Sequence, residues 1–271
     1  MTLEIFFGSR RGAGAVTWRG SGCRLAGPDS LQRVSSLEGR VIAIAGAAGG
    51  LGPVVARRLA DEGAALALTD IDTGKLDALL EELGLEGDRV DARVSDLLGE
   101  DGAREWAEAL EERFGRTDCL LHLVGGWRGG QPLAEAPLPD YELLHDLLVR
   151  TVQHASRAFY EALRESPHGR FVLVSSSQAQ APSGTNASYS AAKAAAEAWT
   201  LALADQFDSA GSAATANIIV VNAILTPRMR EESPEKPFKT FTSAEDIAGA
   251  IAFVCSDEAA KMNGKRLALH P

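Results

Sequence analysis

VIAIAGAAGGLGPVVARRLADEG, residues 41–63, holds a strand pattern, a turn and a helix pattern in immediate succession. VIAIA (41–45) is a short apolar run of strand type, and GLGPVVARRLADEG (50–63) carries the longer pattern of a helix. Between them Gly46, Gly50 and Gly52 stand at G-x3-G-x-G, with Leu51 inside the turn and Pro53 suited to the first turn of a helix. The reason for glycine is steric: the turn needs unusual backbone angles, and a phosphate-bearing ligand must come close to the main chain. The helix N-terminus then offers free N–H groups and a partial positive charge to a pyrophosphate. A glycine cluster alone marks no more than a tight turn; the strand before it and the helix after it supply the context a dinucleotide site requires.

The same alternation runs on to the C-terminus. Strand-type runs follow at ALALT (65–69), RVDARV (89–94), CLLHLV (119–124), RFVLVS (170–175), NIIVVN (217–222) and KRLAL (265–269). Helical patterns lie between most of them, at 74–83, 101–114, 141–163, 188–207 and 244–256. Several strands are apolar on both faces, as in a parallel sheet covered by helices on each side. Seven strands with helical crossovers predict an α/β fold: a doubly wound (Rossmann-type), mostly parallel sheet with helices on both faces. No linker divides it, so residues 37–271 read as a single domain. Residues 1–33 hold five arginines against Glu4 and Asp29, so the rest of the chain carries −13 of a net −10. The segment 1–36 reads as a mobile extension, with a transit-type peptide or a misassigned start as the alternatives, and it has no apolar run of signal or membrane-spanning length.

The net charge argues against nucleic acid as the main partner. Cys23, Cys119 and Cys255 lack metal-ligand spacing and suit a reducing cytoplasm, and the five histidines are scattered, so no metal site and no membrane partner are expected. Asp70 ends the second strand, eighteen residues after Gly52. A carboxylate there can accept hydrogen bonds from both hydroxyls of an adenosine ribose and would repel a 2′-phosphate; the other reading is a solvated turn acid like Asp72. No basic residue stands at Ala47, Ala48 or Gly49, which also favours NAD over NADP. Two loops follow strand ends, GGWRGGQPLAEAPLPD (125–140) and TPRMREESPEKPFKTFTS (226–243), each readable as a lid or as a solvated connection. Trp127, Arg128, Gln178 and Arg228 are candidate pocket residues, suggesting a mixed apolar and polar ligand with an anionic group.

SSSQAQAPSGTNASYSAAK (175–193) then makes the pattern specific. Tyr189 and Lys193 stand at i, i+4 on one helix face, where an ammonium would lower a phenol pKa from its ordinary value near 10. With the glycine turn, Tyr-x3-Lys, and Ser176 thirteen residues before Tyr189, the sequence resembles the short-chain dehydrogenase/reductase family over about residues 38–269. Asp96, followed by Leu97, matches that family's acid near the adenine ring, and Gly125 its turn after the fourth strand. Thr226 matches the threonine that contacts the nicotinamide amide. The resemblance implies that Ser176 holds the substrate oxygen, that Tyr189 is the general acid/base, and that Lys193 also binds the nicotinamide ribose. It further implies hydride transfer between NAD(H) and a small alcohol or carbonyl substrate, and homodimers or homotetramers through the two long helices. The alanine-rich helix from 188 is also readable as close packing on its own sheet.

The sequence departs from the family in several places. HLVG (122–125) replaces the family's Asn-Asn-Ala-Gly turn, and the Pro-Gly after Asn222 is missing, which shortens the loop. Aligning Tyr141 and Arg157–Ala158 puts Leu148 where many members carry an asparagine that helps hold a water of a proton relay. Leucine cannot hydrogen-bond, which leaves His145, Arg150 and Thr151 as the polar residues of that helix to take its place. These departures motivate the alternative of an NAD-binding regulatory or interaction protein with little turnover. Epimerisation or dehydration on this fold has no distinctive motif here.

Overall fold

The computed structural model describes residues 37–270. The N-terminal segment 1–36, with Cys23, lies outside the described residues, as does residue 271. β1 (Val41–Ala45) is buried throughout, and its alternation sends Ile42 and Ile44 to one face and Ala43 and Ala45 to the other. The elements that follow are α1 (Gly52–Asp61), β2 (Ala65–Asp70), α2 (Thr73–Leu83), β3 (Val90–Val94), α3 (Glu100–Phe114) and β4 (Cys119–His122). After the long loop come α4 (Leu138–His145), α5 (Thr151–Ala158), α6 (Tyr160–Glu165), β5 (Arg170–Ser176) and α7 (Ala187–Ser209). The chain ends with β6 (Thr215–Val221), β7 (Ile224–Leu225), α8 (Pro227–Glu232), β8 (Thr242–Ser243), α9 (Ala244–Cys255) and β9 (Arg266–Ala268).

The seven main strands form one sheet in the order β3-β2-β1-β4-β5-β6-β9, every neighbouring pair parallel. This is the doubly wound α/β sheet expected. The chain winds outward from β1 through β2 and β3, then returns to lay β4 on the other side of β1. The crevice at that reversal, beyond the C-terminal ends of the strands, is where such sheets bind ligands. The register aligns those ends: Ala45 is opposite both Thr69 and His122, and Ser176 is opposite Val221.

Each face of the sheet buries its own core. The isoleucine face of β1 packs with Val55 and Leu59 of α1 and Ile247 and Ile251 of α9. The alanine face leaves room for bulkier partners, Trp106 of α3 and Phe159, whose rings meet edge to face at 4.8 Å. Asp72 caps α2 by accepting from the Lys75 N–H, and Gly84 closes that helix at φ 60°. Cys119 and Cys255 are both fully buried.

One expected element is different. The single helix read over 141–163 is broken: residues 146–150 wind with the wider turn of a π-helix, and the helix stops at Phe159 before α6 begins. The Thr151 hydroxyl donates to the Leu147 carbonyl at 2.7 Å, inserting a side-chain bond into the helical ladder at this turn. The β7–β8 pair, absent from the sequence reading, ties the segment after β6 back to the start of α9.

Candidate active site

At the end of β1, Gly46 takes φ +77°, and the N–H groups of Gly46 and Ala47 both donate to the Thr69 carbonyl at 3.0 Å. A Cβ on Gly46 would lie 2.8 Å from the Val124 nitrogen, so both conformation and space demand glycine. Gly46, Gly49, Gly50 and Leu51 line a cavity of about 1140 Å³ that runs along the strand ends to Tyr189 and Lys193. Gly52 does not line it. A Cβ there would lie 2.0 Å from the Ala47 carbonyl oxygen, so this glycine lets α1 pack against the turn rather than touching a ligand.

Asp70 lines the cavity from the end of β2, and its carboxylate also braces the turn by accepting from the Ala48 N–H at 3.0 Å. The nearby cation Lys75 is paired with Asp72 at 2.9 Å. Asp96 and Leu97 line the same end with Ile71, Val94 and Leu98, and Asp96 accepts from the Leu98 N–H at 2.9 Å. The Leu97 carbonyl is held by the Nδ1–H of His154 at 3.0 Å. Gly125 and Thr226 line the middle, the Thr226 side chain also capping α8.

The three serines at the end of β5 separate into distinct places. Ser175 lines the cavity with a buried hydroxyl that has no partner among the described residues. Ser176 is buried, is not among the cavity's lining residues, accepts from the Gln178 N–H at 3.3 Å, and its hydroxyl favours ionisation of the Tyr189 phenol. Ser177 donates to the Asn222 side chain at 3.2 Å. Of the loop from Gln178 to Ala187, only Gln178 is among the cavity's lining residues.

Tyr189 and Lys193 share one face of α7. Lys193 is buried and donates from Nζ to the Val174 carbonyl at 2.9 Å, which leaves the ammonium 5.9 Å from the centre of the Tyr189 ring. Burial pushes the lysine down to about 8, with the Glu197 carboxylate opposing. The expectation that the ammonium lowers the phenol is not met. Burial raises the Tyr189 phenol, and the Ser176 hydroxyl opposes that rise. The lysine instead donates to the Val174 carbonyl.

Leu148 is not among the lining residues; it is buried in a cluster with Leu144, Val149 and Ala192, against which Tyr189 packs. Leu147 and Thr151 line the cavity at this level instead. Of the three polar residues offered by the helix, His145 and Arg150 lie beside Asp146, partly exposed. Thr151 is buried and lies 3.0 Å from the Nε2 of His122, the last residue of β4. The one hydroxyl proton of Thr151 goes to Leu147, so its oxygen accepts from Nε2–H of the imidazole, which assigns that tautomer. Burial, with Lys193 adding to it, pushes His122 down to about 3, so this histidine is neutral. His122 escaped the sequence reading because a polar residue inside CLLHLV looks like one more strand residue. Its partner stands 29 positions further on.

The remaining wall is uncharged: Trp127, Ile224, Thr240 and Phe241 line it. Arg128 and Arg228, expected near the pocket, are not among the lining residues; Arg228 is paired with Glu232 at 2.6 Å. The loop after α8 is anchored by the buried ring of Phe238, which meets Phe241 edge to face at 5.1 Å and has Arg230 and Lys236 over it at 5.2 and 5.1 Å. Phe238 itself holds φ +42°, a strained conformation for a non-glycine residue.

A family model described as enoyl-(acyl carrier protein) reductase matches residues 46–269. The chain is 30% identical over 242 residues to the (2S)-[(R)-hydroxy(phenyl)methyl]succinyl-CoA dehydrogenase subunit BbsD of Thauera aromatica, covering 85% of this chain and 95% of that protein. It is 29% identical to the 3-oxoacyl-[acyl-carrier-protein] reductase FabG of Thermotoga maritima, over 84% and 95% of the two chains. Among solved structures, a short-chain dehydrogenase/reductase from Brucella melitensis superposes with a TM-score of 0.75 at 27% identity, covering 87% of this chain and 96% of the other. A blue fluorescent protein from a metagenomic library, solved in complex with NADPH, superposes with a TM-score of 0.73 at 28% identity over 86% and 97%. The likeness runs from the glycine turn to β9, and the chain belongs to the short-chain dehydrogenase/reductase family of NAD(P)-dependent oxidoreductases.

Proposed function

We propose that this chain is an NAD-dependent alcohol dehydrogenase or carbonyl reductase acting on a small, uncharged substrate in the cytoplasm. The observation that carries the reading is one cavity lined by Tyr189 and Lys193 of one helix face together with the glycine turn and Asp70. The residues fit a dinucleotide. Gly46, Gly49 and Gly50 present bare backbone to the cavity, and Ser175 lines it with a buried hydroxyl that has no partner among the described residues. Asp70 would take the adenosine ribose, Asp96 and Leu97 the adenine side, Gly46, Gly50 and Leu51 the pyrophosphate, and Gly125, Thr226 and Lys193 the nicotinamide end. Gly52 supports the turn from behind. Bound there, the cofactor supplies or accepts the hydride at the substrate carbon.

The side chains then divide the proton chemistry. Ser176 holds the substrate oxygen beside Tyr189. The phenol, kept protonated by burial, gives its proton to a carbonyl oxygen as that carbon is reduced, or takes it back from an alcohol. The ammonium of Lys193 stabilises the phenolate left behind. The preference for NAD rests on Asp70 and on Lys75 being paired to Asp72 rather than free for a 2′-phosphate. Fluorescence titration with NADH and NADPH tests it, and tighter NADPH binding would overturn the role of Asp70. Tyr189→Phe is expected to cut turnover at least ~100-fold while nucleotide binding is kept; full turnover in that variant refutes the mechanism.

A second reading, a nucleotide-binding regulatory or interaction protein, is favoured by the apolar packing of Leu148 and predicts NADH binding with no turnover on a broad carbonyl and alcohol panel. The apolar groove between α5 and α7, lined by Tyr160, Trp199 and Leu203, supports a homodimer or homotetramer, which light scattering checks.

A further inference from the structure

Tyr189, Lys193 and Glu197 recur every four residues along α7 and so lie one above another on the same face. Lys193 and Glu197 are 7% and 4% exposed. A lysine this deeply buried gives up its proton unless an anion is close. Glu197, one turn along the helix, is the one carboxylate that acts on it among the described residues. That carboxylate is itself fixed from the sheet. Arg266 of β9, the edge strand, grips it with both prongs, Nε to Oε2 at 2.8 Å and Nη2 to Oε1 at 3.2 Å. The Arg266 side chain is 23% exposed, so the cation of the pair keeps one side in water while its anion faces inward. The groups that face Lys193 are therefore Tyr189 and Glu197 from α7, the neutral His122 from β4, and the Val174 carbonyl from β5, with Arg266 acting through Glu197.

We propose that Glu197, clamped by Arg266, is a positioning residue that keeps the Lys193 ammonium charged in its buried place beside Tyr189, with Arg266 limiting how strongly it does so. The inference rests on the function proposed above, because it takes Lys193 to be part of the working site. The charges alternate from Lys193 through Glu197 to Arg266 as plus, minus, plus. Removing the carboxylate exposes Lys193 to burial and to Arg266 alone, whereas removing the guanidinium leaves Lys193 with an uncompensated anion. The two losses act on Lys193 in opposite directions.

The test reads Lys193 directly. The chain has six lysines, so in 13C-lysine-labelled full-length protein the Lys193 signal is assigned by its loss in Lys193→Met and titrated by NMR from pH 6 to 11 without nucleotide. Glu197→Gln is expected to lower the midpoint by about 1 pH unit and Arg266→Met to raise it by about 0.5. A merely structural pair would loosen α7 against β9 in either variant, hydrate Lys193 and move both midpoints up toward an ordinary lysine. Shifts in the same direction, or none, overturn the proposal. Should a single variant fail to fold, the double variant Glu197→Gln/Arg266→Met removes both charges together. Its midpoint is expected within about 0.5 pH unit of the parent, and a displacement beyond about 1 unit overturns the proposal too. These midpoints are read without substrate or nucleotide, so their failure refutes the role of Glu197 alone. Opposite shifts in a protein that never turns over a substrate refute the proposed function and leave the electrostatic role standing.

Discussion

Lys193 should be a residue that the fold would be better off without. Its ordinary value is 10.5, and burial brings it to about 8. The sign follows from linkage. Between these two values the unfolded chain binds the proton and the folded chain does not, so stability contributed through this group is present above 10.5 and lost as pH falls through about 8. At pH 7 the folded protein therefore carries a penalty on the order of 3 kcal/mol for keeping the ammonium buried. Lys193 also donates to the Val174 carbonyl, a bond worth roughly 1 kcal/mol net. Lys193→Met, which fills similar space without charge, is then expected to stabilise the protein by about 2 kcal/mol at pH 7. The assay is urea unfolding of the parent and the variant at pH 7 and pH 9.5. The advantage should shrink by about 2 kcal/mol between the two, because the parent sheds its penalty as the lysine deprotonates. A variant less stable than the parent at pH 7, or an advantage that does not change with pH, refutes the reasoning. The trade is one that binding sites commonly show, stability given up for a group held where function needs it.

Gly46→Ala should lower the melting temperature by about 4 °C, since it places a Cβ 2.8 Å from the Val124 nitrogen at a φ of +77°. An unchanged melting temperature would mean that the turn has slack. Thr151→Val keeps the shape but strips the acceptor from His122 Nε2 and the donor from the Leu147 carbonyl. A loss of about 1–3 kcal/mol in urea unfolding is expected for the buried donor left unpaired, and a change within about 0.5 kcal/mol would show that the assigned hydrogen bonds are not formed.

What the sequence made legible was whatever local spacing controls. The strands could be read because a parallel sheet buried on both faces forces nearly continuous apolar runs, as in VIAIA and RFVLVS. The glycine turn could be read because its steric demand falls on neighbouring residues. Within that turn, though, Gly50 borders the cavity while Gly52 exists for the contact of α1 with Ala47, and the spacing alone does not separate a glycine that meets a ligand from one that meets the protein. What stayed hidden depends on partners far apart in the chain. The π-turn at 146–150 sits where Thr151 bonds Leu147 and where Leu148 finds Ala192 of α7. His122 acquires meaning only beside Thr151, and Glu197 only beside Arg266, 69 residues away. The shortened loop after Asn222 left the alternatives of a lid and a solvated connection. Thr240 and Phe241 line the cavity, so the segment is more than a solvated connection, and Phe238 beside them holds φ +42° with Arg230 and Lys236 near its ring.

Burial is the common cause behind the three titrating groups of the site, and it does not act on them alike. It disfavours charge, so it lowers Lys193 and His122 and raises Tyr189. At neutral pH the result is a protonated phenol, a lysine still mostly charged at about 8, and a neutral imidazole. On the function proposed, that resting state holds the proton on the group that must give it to a carbonyl, so reduction needs no prior ionisation. Oxidation of an alcohol needs the phenolate, which burial opposes and the Ser176 hydroxyl favours. The charge on Lys193 is in turn what Glu197 protects. On the inference drawn above, the charge held beside the phenol is tuned by Arg266 on the edge strand of the sheet.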